Sequence, residues 1–364
     1  MSETRAKDFE GRGAVATPSM TFHPAQRGRA SLDFLVQLAR AMKGVRGQVE
    51  AELQAAVPEP EALAEDLDER DAAISARLAS SPNWRVSELV GEWQSRMHGL
   101  FAREAFEEVE DLLAPMLEPL QNNGPARLVP RAQGESAPAY WRGVNFHRTA
   151  GGWDEHPMQG YIHGEIVHRR MVEALFPGGI FRQRRALAAS APRAHYRRIL
   201  DMGASTGHFT EALQETYPDA EIVGVDLSLR ALEHAERVAN AHGWAWQLYQ
   251  RPAEDTGFES ESFDLVASYI LLHEIPADVI RAVFAEAFRL LEPGGDMVMS
   301  DVTRYADMDK LAVWRADRGA RLGGEPHWRE SASIDLGQVA REAGFVDVVA
   351  EGIYPHVVRG RKPQ

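Results

Sequence analysis

The segment with the clearest chemical signature is RILDMGASTGHF, from Arg198 to Phe209. An apolar run ends in an acid, Asp201, and is followed by a turn bounded by Gly203 and Gly207 and then by a helical pattern. Glycines let the backbone pass close under a bound ligand, and the free N–H groups at the start of a helix favour a negatively charged group. The segment therefore predicts a ligand-binding turn between a strand and a helix.

A second acid stands at the end of the next predicted strand. Eighteen residues after Gly207 an apolar run ends in Val225 and Asp226. An acid at that point of an α/β sheet can accept hydrogen bonds from both hydroxyls of a ribose, as in dinucleotide-binding folds. The glycines, however, are spaced GxxxG and not GxGxxG, the spacing that a pyrophosphate-binding turn requires. An NAD(P)-dependent oxidoreductase is therefore a disfavoured alternative.

The turn resembles the first motif of the class I S-adenosylmethionine-dependent methyltransferases, which is an acid, a variable residue and a GxGxG turn. Ser205 stands in place of the middle glycine. The resemblance covers about the last 165 residues and includes three further segments in the expected order, VGVDLS (Val223–Ser228), FDLVASYILLHEIP (Phe263–Pro276) and LEPGGDMVMSD (Leu291–Asp301). It implies a Rossmann-like doubly wound sheet and S-adenosylmethionine as the cofactor.

The resemblance also implies which residues hold the cofactor. The turn and the acid before it would bind its amino-acid end, Asp226 would bind the ribose, and the adenine would lie near Leu227 and Glu254. The family often has an acid two residues before that glutamate, where this chain has Pro252. Glu254 or Asp255 would take its place. The full predicted set is Asp201, Gly203, Ala204, Ser205, Gly207, Asp226, Leu227, Ala253, Glu254 and Ser268.

A histidine follows the fourth predicted strand, where ligands bind in such sheets. S-adenosylmethionine carries its methyl group on a sulfonium cation, so an enzyme mainly aligns the nucleophile and excludes water. A hydroxyl nucleophile also benefits from a general base, for which histidine is suited. The position of His273 resembles that of the catalytic histidine of small-molecule O-methyltransferases. We predict His273 as the base and Glu274 as the group that orients it, with a packing histidine and a helix-dipole acid as alternatives.

The segment Tyr140–Arg170 is dense in rings, with Trp141, His147, Trp153, His156, Tyr161, His163 and His168. Because segments just before the first strand often cover the site in the resembling family, we expect part of a lid here. A helix could also place His163, Glu165 and His168 near one face, where they would suit a metal ion. Packing between domains is the third alternative. Since methyl transfer needs no metal, we predict none.

Four aromatic or histidine side chains are predicted to contact the substrate. Tyr161 and His163 belong to the expected lid, and Tyr269 ends the fourth strand. Trp314 lies in the stretch 304–329 after the fifth strand, where the resembling family often shapes its substrate pocket.

Two kinds of pattern divide the chain. From Ser31 to about Asn122 apolar residues recur at helical spacing, which predicts amphipathic helices with more apolar surface than one layer can bury, and hence a homodimer. From about Tyr196 short β-branched runs alternate with helices, which predicts a parallel sheet. We expect a flexible arm at 1–30, a helical dimerisation and lid domain at 31–195 and the cofactor domain at 196–364. The predicted strands are Arg198–Met202, Glu221–Val225, Ala245–Tyr249, Phe263–Ser268, Asp296–Ser300 and Val346–Ala350.

Composition excludes several classes of protein. The chain has 364 residues, 44% of them hydrophobic and 26% charged, as in a globular protein of about two domains. The absence of cysteine excludes disulfides, thiolate nucleophiles and thiolate-bound metals. A formal charge of −14 disfavours nucleic acid as a partner. With no apolar signal core and no stretch of roughly 20 apolar residues, we expect a cytoplasmic protein that does not enter a membrane.

These observations predict a methyltransferase of small-molecule biosynthesis that methylates a hydroxyl oxygen. A carbon, nitrogen or sulfur acceptor methylated by proximity alone, without a base, is the first alternative. A module that binds the cofactor without transferring its methyl group is a further one.

Overall fold

The structure, a computed structural model, describes residues 20–149, 151–176 and 178–364. Eight strands form one sheet in the order β1-β4-β3-β2-β5-β6-β8-β7. Neighbours from β1 to β6 pair in parallel, whereas β8 pairs antiparallel with β6 and with β7. The strands are β1 (Arg127–Val129), β2 (Arg198–Met202), β3 (Glu221–Asp226), β4 (Gln247–Gln250), β5 (Phe263–Tyr269), β6 (Leu291–Asp301), β7 (Val346–Glu351) and β8 (His356–Arg361).

The N-terminal part is helical, as predicted. Its first four helices are α1 (Gln26–Ala56), α2 (Leu67–Leu78), α3 (Pro82–Glu107) and α4 (Glu110–Leu117). Helix α5 is wound as a π-helix over Ile162–Val172, between single α-helical turns at Gln159–Tyr161 and Glu173–Leu175. Such windings are rare and occur frequently at functional sites. Helix α6 (Ile180–Ala188) leads into β2.

Helices cover both faces of the sheet, which confirms the predicted doubly wound α/β class. They are α7 (His208–Thr216), α8 (Leu229–His242), α9 (Ala277–Leu290), α10 (Lys310–Gly323), α11 (Trp328–Ser333) and α12 (Leu336–Glu342). Glycines in the left-handed conformation end α8 at Gly243 and α10 at Gly324. No helix in the described ranges is long and apolar enough to cross a membrane.

The hydrophobic core crosses the boundary predicted at residue 195. Leu32 of α1 and Phe106 of α3 belong to the same buried cluster as Leu213 of α7 and Leu232 of α8. Strand β1, inside the predicted helical domain, extends the sheet beside β4. The N-terminal helices are therefore packed onto one face of the sheet.

The predicted flexible arm at 1–30 includes residues 1–19, which lie outside the described residues. Its remaining part is packed: Met20 and Phe22 are buried, and α1 begins at Gln26. The hydroxyl of Tyr161 donates a hydrogen bond to the carbonyl of Met20 at 3.0 Å. Residues 20–30 thus differ from the prediction, because apolar side chains at 20 and 22 anchor them to the core.

Candidate active site

A cavity with an empty volume of about 1210 Å³, which includes the solvent space at its opening, lies at the carboxyl ends of β2, β3 and β5. Ligands bind at this edge in open α/β sheets. Six ring side chains of the segment Tyr140–Arg170 line it, namely Tyr140, Trp141, His147, Trp153, His163 and His168. Ten of the predicted site residues line it, namely Gly203, Ser205, Asp226, Leu227, Ala253, Glu254, His163, Tyr269, His273 and Glu274.

The turn between β2 and α7 has a conformation that favours glycine. Gly203 and Gly207 have φ of 77° and 83°, and Ser205 has φ of 48°. Only glycine adopts this left-handed region without steric cost, which explains why the resembling motif has glycine at the position of Ser205. The N–H groups of Gly203 and Ala204 both donate to the carbonyl of Val225 at 2.9 Å, so the turn is fixed to the end of β3.

Asp226 connects this turn to the loop after β3. Its Oδ2 accepts a hydrogen bond from the N–H of Ser205 and its Oδ1 accepts one from the N–H of Ser228, both at 2.8 Å. Burial raises the pKa of Asp226 to about 6, although the two backbone donors oppose the change. Each carboxylate oxygen keeps a second lone pair with which it can accept a hydroxyl of a bound ligand.

Four predicted cofactor residues do not line the cavity, namely Asp201, Ala204, Gly207 and Ser268. The hydroxyl of Thr210 donates to Asp201 Oδ2 at 2.7 Å, and Asp201 Oδ1 has no hydrogen-bond partner among the described residues. Burial raises the pKa of Asp201 to about 7. The hydroxyl of Ser268 donates to the carbonyl of Met202 at 2.7 Å, which joins β5 to the last residue of β2.

In the cavity wall that also contains Asp226, Tyr140 positions the side chain of Glu254. The Tyr140 hydroxyl donates to Glu254 Oε1 at 2.6 Å, and Glu254 Oε2 has no partner within the described ranges. Burial, with the adjacent carboxylate, raises the pKa of Tyr140, so the phenol remains a donor. Tyr140 was not among the predicted site residues, although it lies in the ring-rich segment Tyr140–Arg170.

His273 lies in a 3₁₀ turn at Leu272–Glu274, after β5, and is paired with a buried acid. Its Nδ1 lies 2.9 Å from Asp301 Oδ1, at the end of β6. Because a carboxylate only accepts, Nδ1 carries the proton and Nε2 is directed away from Asp301. Burial lowers the pKa of His273, but Asp301, Glu274 and Glu325 outweigh it and raise the pKa to about 9. The imidazolium form therefore predominates near pH 7.

Two residues missed by the sequence analysis lie beside His273. His147 Nε2 is 2.9 Å from Glu274 Oε1, and His147 Nδ1 is 2.5 Å from Glu325 Oε1. Burial lowers the pKa of His147, but the two carboxylates outweigh it and raise the pKa well above its ordinary value. Each residue lies in a segment that stands out in the sequence, His147 in 140–170 and Glu325 in 304–329. No residue spacing indicates that these two segments meet in the fold.

Arg184 of α6, which is buried at the cavity wall, was also missed. Its guanidinium lies 4.7 Å from the centre of the Tyr269 ring, and its NH1 has no hydrogen-bond partner in the part of the chain that is described. Burial lowers the pKa of Arg184. A buried cation without a carboxylate partner favours an anionic ligand group, because an unpaired charge is costly in a low-dielectric interior.

The alternative metal set His163, Glu165 and His168 is not assembled. The rings of His163 and His168 are 4.1 Å apart, centre to centre, and both line the cavity. Burial lowers the pKa of His163 and of His168 well below the ordinary value. Glu165, however, points into the core, where it pairs with Arg169 at 3.1 Å and His234 at 3.2 Å.

Two predicted substrate contacts are wrong. Tyr161 is fully buried with its hydroxyl bonded to Met20, because its side of α5 packs against α3 and α8. Trp314 stacks on Trp84 at 5.6 Å and donates from Nε1 to Asp71 at 2.7 Å. It lies in a separate apolar cluster where α10 meets α2, outside the cavity.

Comparison with known proteins identifies the region that holds the turn. Residues 199–295 match a sequence family described as "Methyltransferase domain". The ubiquinone/menaquinone biosynthesis C-methyltransferase of Desulfotalea psychrophila is 30% identical over 184 residues, which cover 46% of this chain and 73% of that protein. The malonyl-[acyl-carrier protein] O-methyltransferase of Hahella chejuensis is 29% identical over 180 residues, 46% of this chain and 63% of that protein.

The chain spans less than two thirds of the length of the Hahella relative. Among solved structures, a putative O-methyltransferase of Nostoc punctiforme aligns over 90% of this chain and 97% of its own, at 16% identity and a TM-score of 0.49.

Proposed function

Because the chain belongs to the class I S-adenosylmethionine-dependent methyltransferases, we propose that it methylates a hydroxyl oxygen of a small molecule held against His273 and Glu274. S-adenosylmethionine is the methyl donor. The observation that carries the proposal is a single cavity lined both by the glycine turn with Asp226 and by His273, which is bonded to Asp301. Such a cavity can hold the donor and the acceptor side by side.

The cofactor would lie along the ends of β2 and β3. Asp226 would accept the ribose hydroxyls, and Leu227 and the Tyr140–Glu254 pair would contact the adenine. Arg184, near Gly203 and Tyr269, would supply a cation for the carboxylate of the amino-acid end. His273 and Glu274 would then line the part of the cavity that receives the methyl group.

In the transfer step, the acceptor oxygen attacks the methyl carbon in line with the carbon–sulfur bond. The carbon–sulfur bond would break as the oxygen–carbon bond forms, which yields S-adenosylhomocysteine, and the hydroxyl proton would pass to the carboxylate of Glu274, because His273 is already protonated near pH 7. Glu274 Oε2 has no partner among the described residues and can accept that hydroxyl. Trp153, His163 and the other rings of the segment Tyr140–Arg170 exclude water, so the reactive sulfonium meets only the acceptor.

A carbon acceptor is the second candidate, because the Desulfotalea relative is named as a C-methyltransferase. An enol or phenol can be methylated at oxygen or at the adjacent carbon once it has lost its proton. The same cavity would serve both reactions, so the position of the new methyl group distinguishes them.

The experiment is a screen for methyl transfer. The purified chain is given S-adenosylmethionine labelled with ¹³C in the methyl group and a panel of phenols, enols and hydroxy acids, and release of S-adenosylhomocysteine is measured. The ¹³C chemical shift of the product then separates an O-methyl from a C-methyl group. If only C-methyl products formed, the acceptor atom would be carbon and not oxygen. If the chain bound NAD(P) but not S-adenosylhomocysteine, the proposed methyltransferase activity would be wrong.

Cofactor affinity should fall in acid. Burial raises the pKa of Asp226 to about 6, and a protonated Asp226 cannot accept both ribose hydroxyls. The charged form binds the cofactor and predominates above that pKa, so affinity is retained at pH 7.5 and is lost as the pH falls through 6. The dissociation constant of S-adenosylhomocysteine should rise about tenfold between pH 7.5 and 5. Calorimetry at constant ionic strength measures it, and Asp226→Asn should show a much smaller change.

We also propose that the N-terminal helices form a homodimer. Phe34 of α1 and Val86, Leu89 and Leu100 of α3 are exposed apolar side chains, with Leu89 69% exposed. Burial of such a patch against a second copy would remove it from water. Light scattering at micromolar concentration should give twice the chain mass, and Leu89→Glu should give a folded monomer. A monodisperse parent monomer would contradict the proposal.

A further inference from the structure

At the acceptor end of the cavity, carboxylates outnumber imidazoles. His147, Glu274 and Glu325 each place a nitrogen or oxygen within 4.8 Å of the other two. His273 Nε2 faces the same carboxylates, 3.6 Å from Glu274 Oε1 and 3.9 Å from Glu325 Oε2. With Asp301 behind His273, three carboxylates surround two imidazoles, and no arginine or lysine is paired with Glu274 or Glu325 among the described residues.

The ligand atoms lie close enough together for small movements to form a coordination sphere. Ligand distances of about 2.0–2.2 Å place the donors of a tetrahedral site about 3.3–3.6 Å apart. The separations around Glu274 Oε1 are 2.9 Å to His147 Nε2 and 3.6 Å to His273 Nε2. Small movements of these side chains would bring the four residues around one ion.

Two buried carboxylate oxygens in the cluster, Glu274 Oε2 and Glu325 Oε2, have no hydrogen-bond partner among the described residues. A buried acceptor without a partner is costly, and a cation would satisfy both. The imidazole of His273 is oriented as in metal sites, where the ring nitrogen away from the metal is bonded to a carboxylate. Asp301 holds Nδ1 of His273, so Nε2 is the nitrogen that can bind the ion.

From this arrangement we propose that His147, Glu274 and Glu325, with His273 as fourth ligand, bind a divalent transition-metal ion, which displaces a proton from the ligating nitrogen of each imidazole into solvent. Mixed imidazole and carboxylate donors without thiolate suit Zn²⁺, Mn²⁺ or Fe²⁺ better than Mg²⁺ or Ca²⁺. The site departs from the sequence analysis, which predicts no metal. Its role rests on the proposed function: the ion would hold the acceptor oxygen beside the sulfonium and favour its deprotonated form, and the proton would be released to solvent instead of to Glu274.

The described residues contain a second cluster of side chains that could bind a metal ion, but a cation of the protein already lies beside it. Glu165, His208 and His234 also place ligand atoms within 4.8 Å of one another. There the guanidinium of Arg169 lies 3.1 Å from Glu165 and already supplies the positive charge. A metal ion is therefore favoured at Glu274 and Glu325.

The test measures metal binding and not turnover. Untagged full-length chain is treated with a chelator, desalted and titrated with Zn²⁺ and separately with Mn²⁺ by calorimetry, and bound metal is counted by mass spectrometry. We expect one ion per chain. His147→Ala and Glu325→Gln should weaken binding by at least about tenfold, the range seen when ligands or their supports are removed. His156→Ala is the matched control, because His156 lies in the same segment outside the cavity.

S-adenosylhomocysteine affinity, measured on every variant, separates this proposal from the proposed function and reports folding. Stoichiometric metal binding that survives in both His147→Ala and Glu325→Gln would overturn the site, as would a parent chain that binds neither ion. If His147→Ala fails to fold, Glu274→Gln provides the second test of the same ligand set. A chain that binds metal and cofactor without methylating any acceptor would leave the site standing and count against the proposed function.

Discussion

His273→Ala should lower the rate of methyl transfer by about 10²- to 10⁴-fold, because it removes the imidazolium that positions Glu274, and proton transfer to a positioned base is usually worth that factor. The affinity for S-adenosylhomocysteine should stay close to that of the parent. The reason is geometric: Nδ1 is held by Asp301 at 2.9 Å, so Nε2 lies in the acceptor end of the cavity, away from Asp226. Single-turnover kinetics with a saturating acceptor from the screen measure the effect.

The variant should fold, because Asp301 keeps other donors. Its Oδ2 accepts from the N–H of Leu272 at 2.6 Å, and its Oδ1 accepts from its neighbour Val302 at 2.8 Å. His156→Ala controls for loss of a histidine outside the cavity. If His273→Ala lost stability but turned over at nearly the parental rate per folded molecule, His273 would be a packing residue. Alignment would then be the main source of catalysis.

Asp226→Ala should weaken S-adenosylhomocysteine binding by about 10- to 100-fold near pH 7.5. Loss of hydrogen bonds to a charged group costs about 1.5–3 kcal/mol, which corresponds to that range. The same carboxylate also anchors the N–H groups of Ser205 and Ser228, so the substitution loosens the turn as well. Calorimetry of the variant and the parent under identical conditions measures the change.

Asp219→Ala is the matched control, because Asp219 is an exposed carboxylate in the turn before β3. It should bind S-adenosylhomocysteine as tightly as the parent. A melting curve on each variant checks that the fold has survived. Parental affinity in a folded Asp226→Ala would remove Asp226 from the cofactor site.

The part of the cavity around the glycine turn was predictable because it is built from local sequence. Asp201, Gly203 and Gly207 stand within one strand, turn and helix, and Asp226 ends the adjacent parallel strand, so strand order alone brings them together. The predicted strands are all present, with ends that differ by up to five residues. β1 was missed because three residues in a connection rich in proline and glycine carry little pattern. β8 was missed because arginine and glycine interrupt its apolar run.

The acceptor end was less predictable because it is assembled by tertiary packing. More than half of the described helices and strands lie between His147 and Glu325 along the chain. No spacing rule relates two residues so far apart. Arg184 belongs to an arginine-rich helix in which sequence does not show which side chain turns inward. Tyr161 and Trp314 were misplaced for the same reason, since an aromatic side chain suits a core as well as a pocket.

A crystal structure of the chain with S-adenosylhomocysteine would show whether this cavity holds the cofactor beside His273. We expect Asp226 to accept hydrogen bonds from the ribose hydroxyls, the adenine to lie beside Leu227 and the sulfur to face His273 and Glu274. The space between the sulfur and His273 should then be large enough for an acceptor hydroxyl. If S-adenosylhomocysteine were bound with its sulfur directed away from His273, or outside this cavity, the proposed methyl transfer at His273 and Glu274 would be wrong.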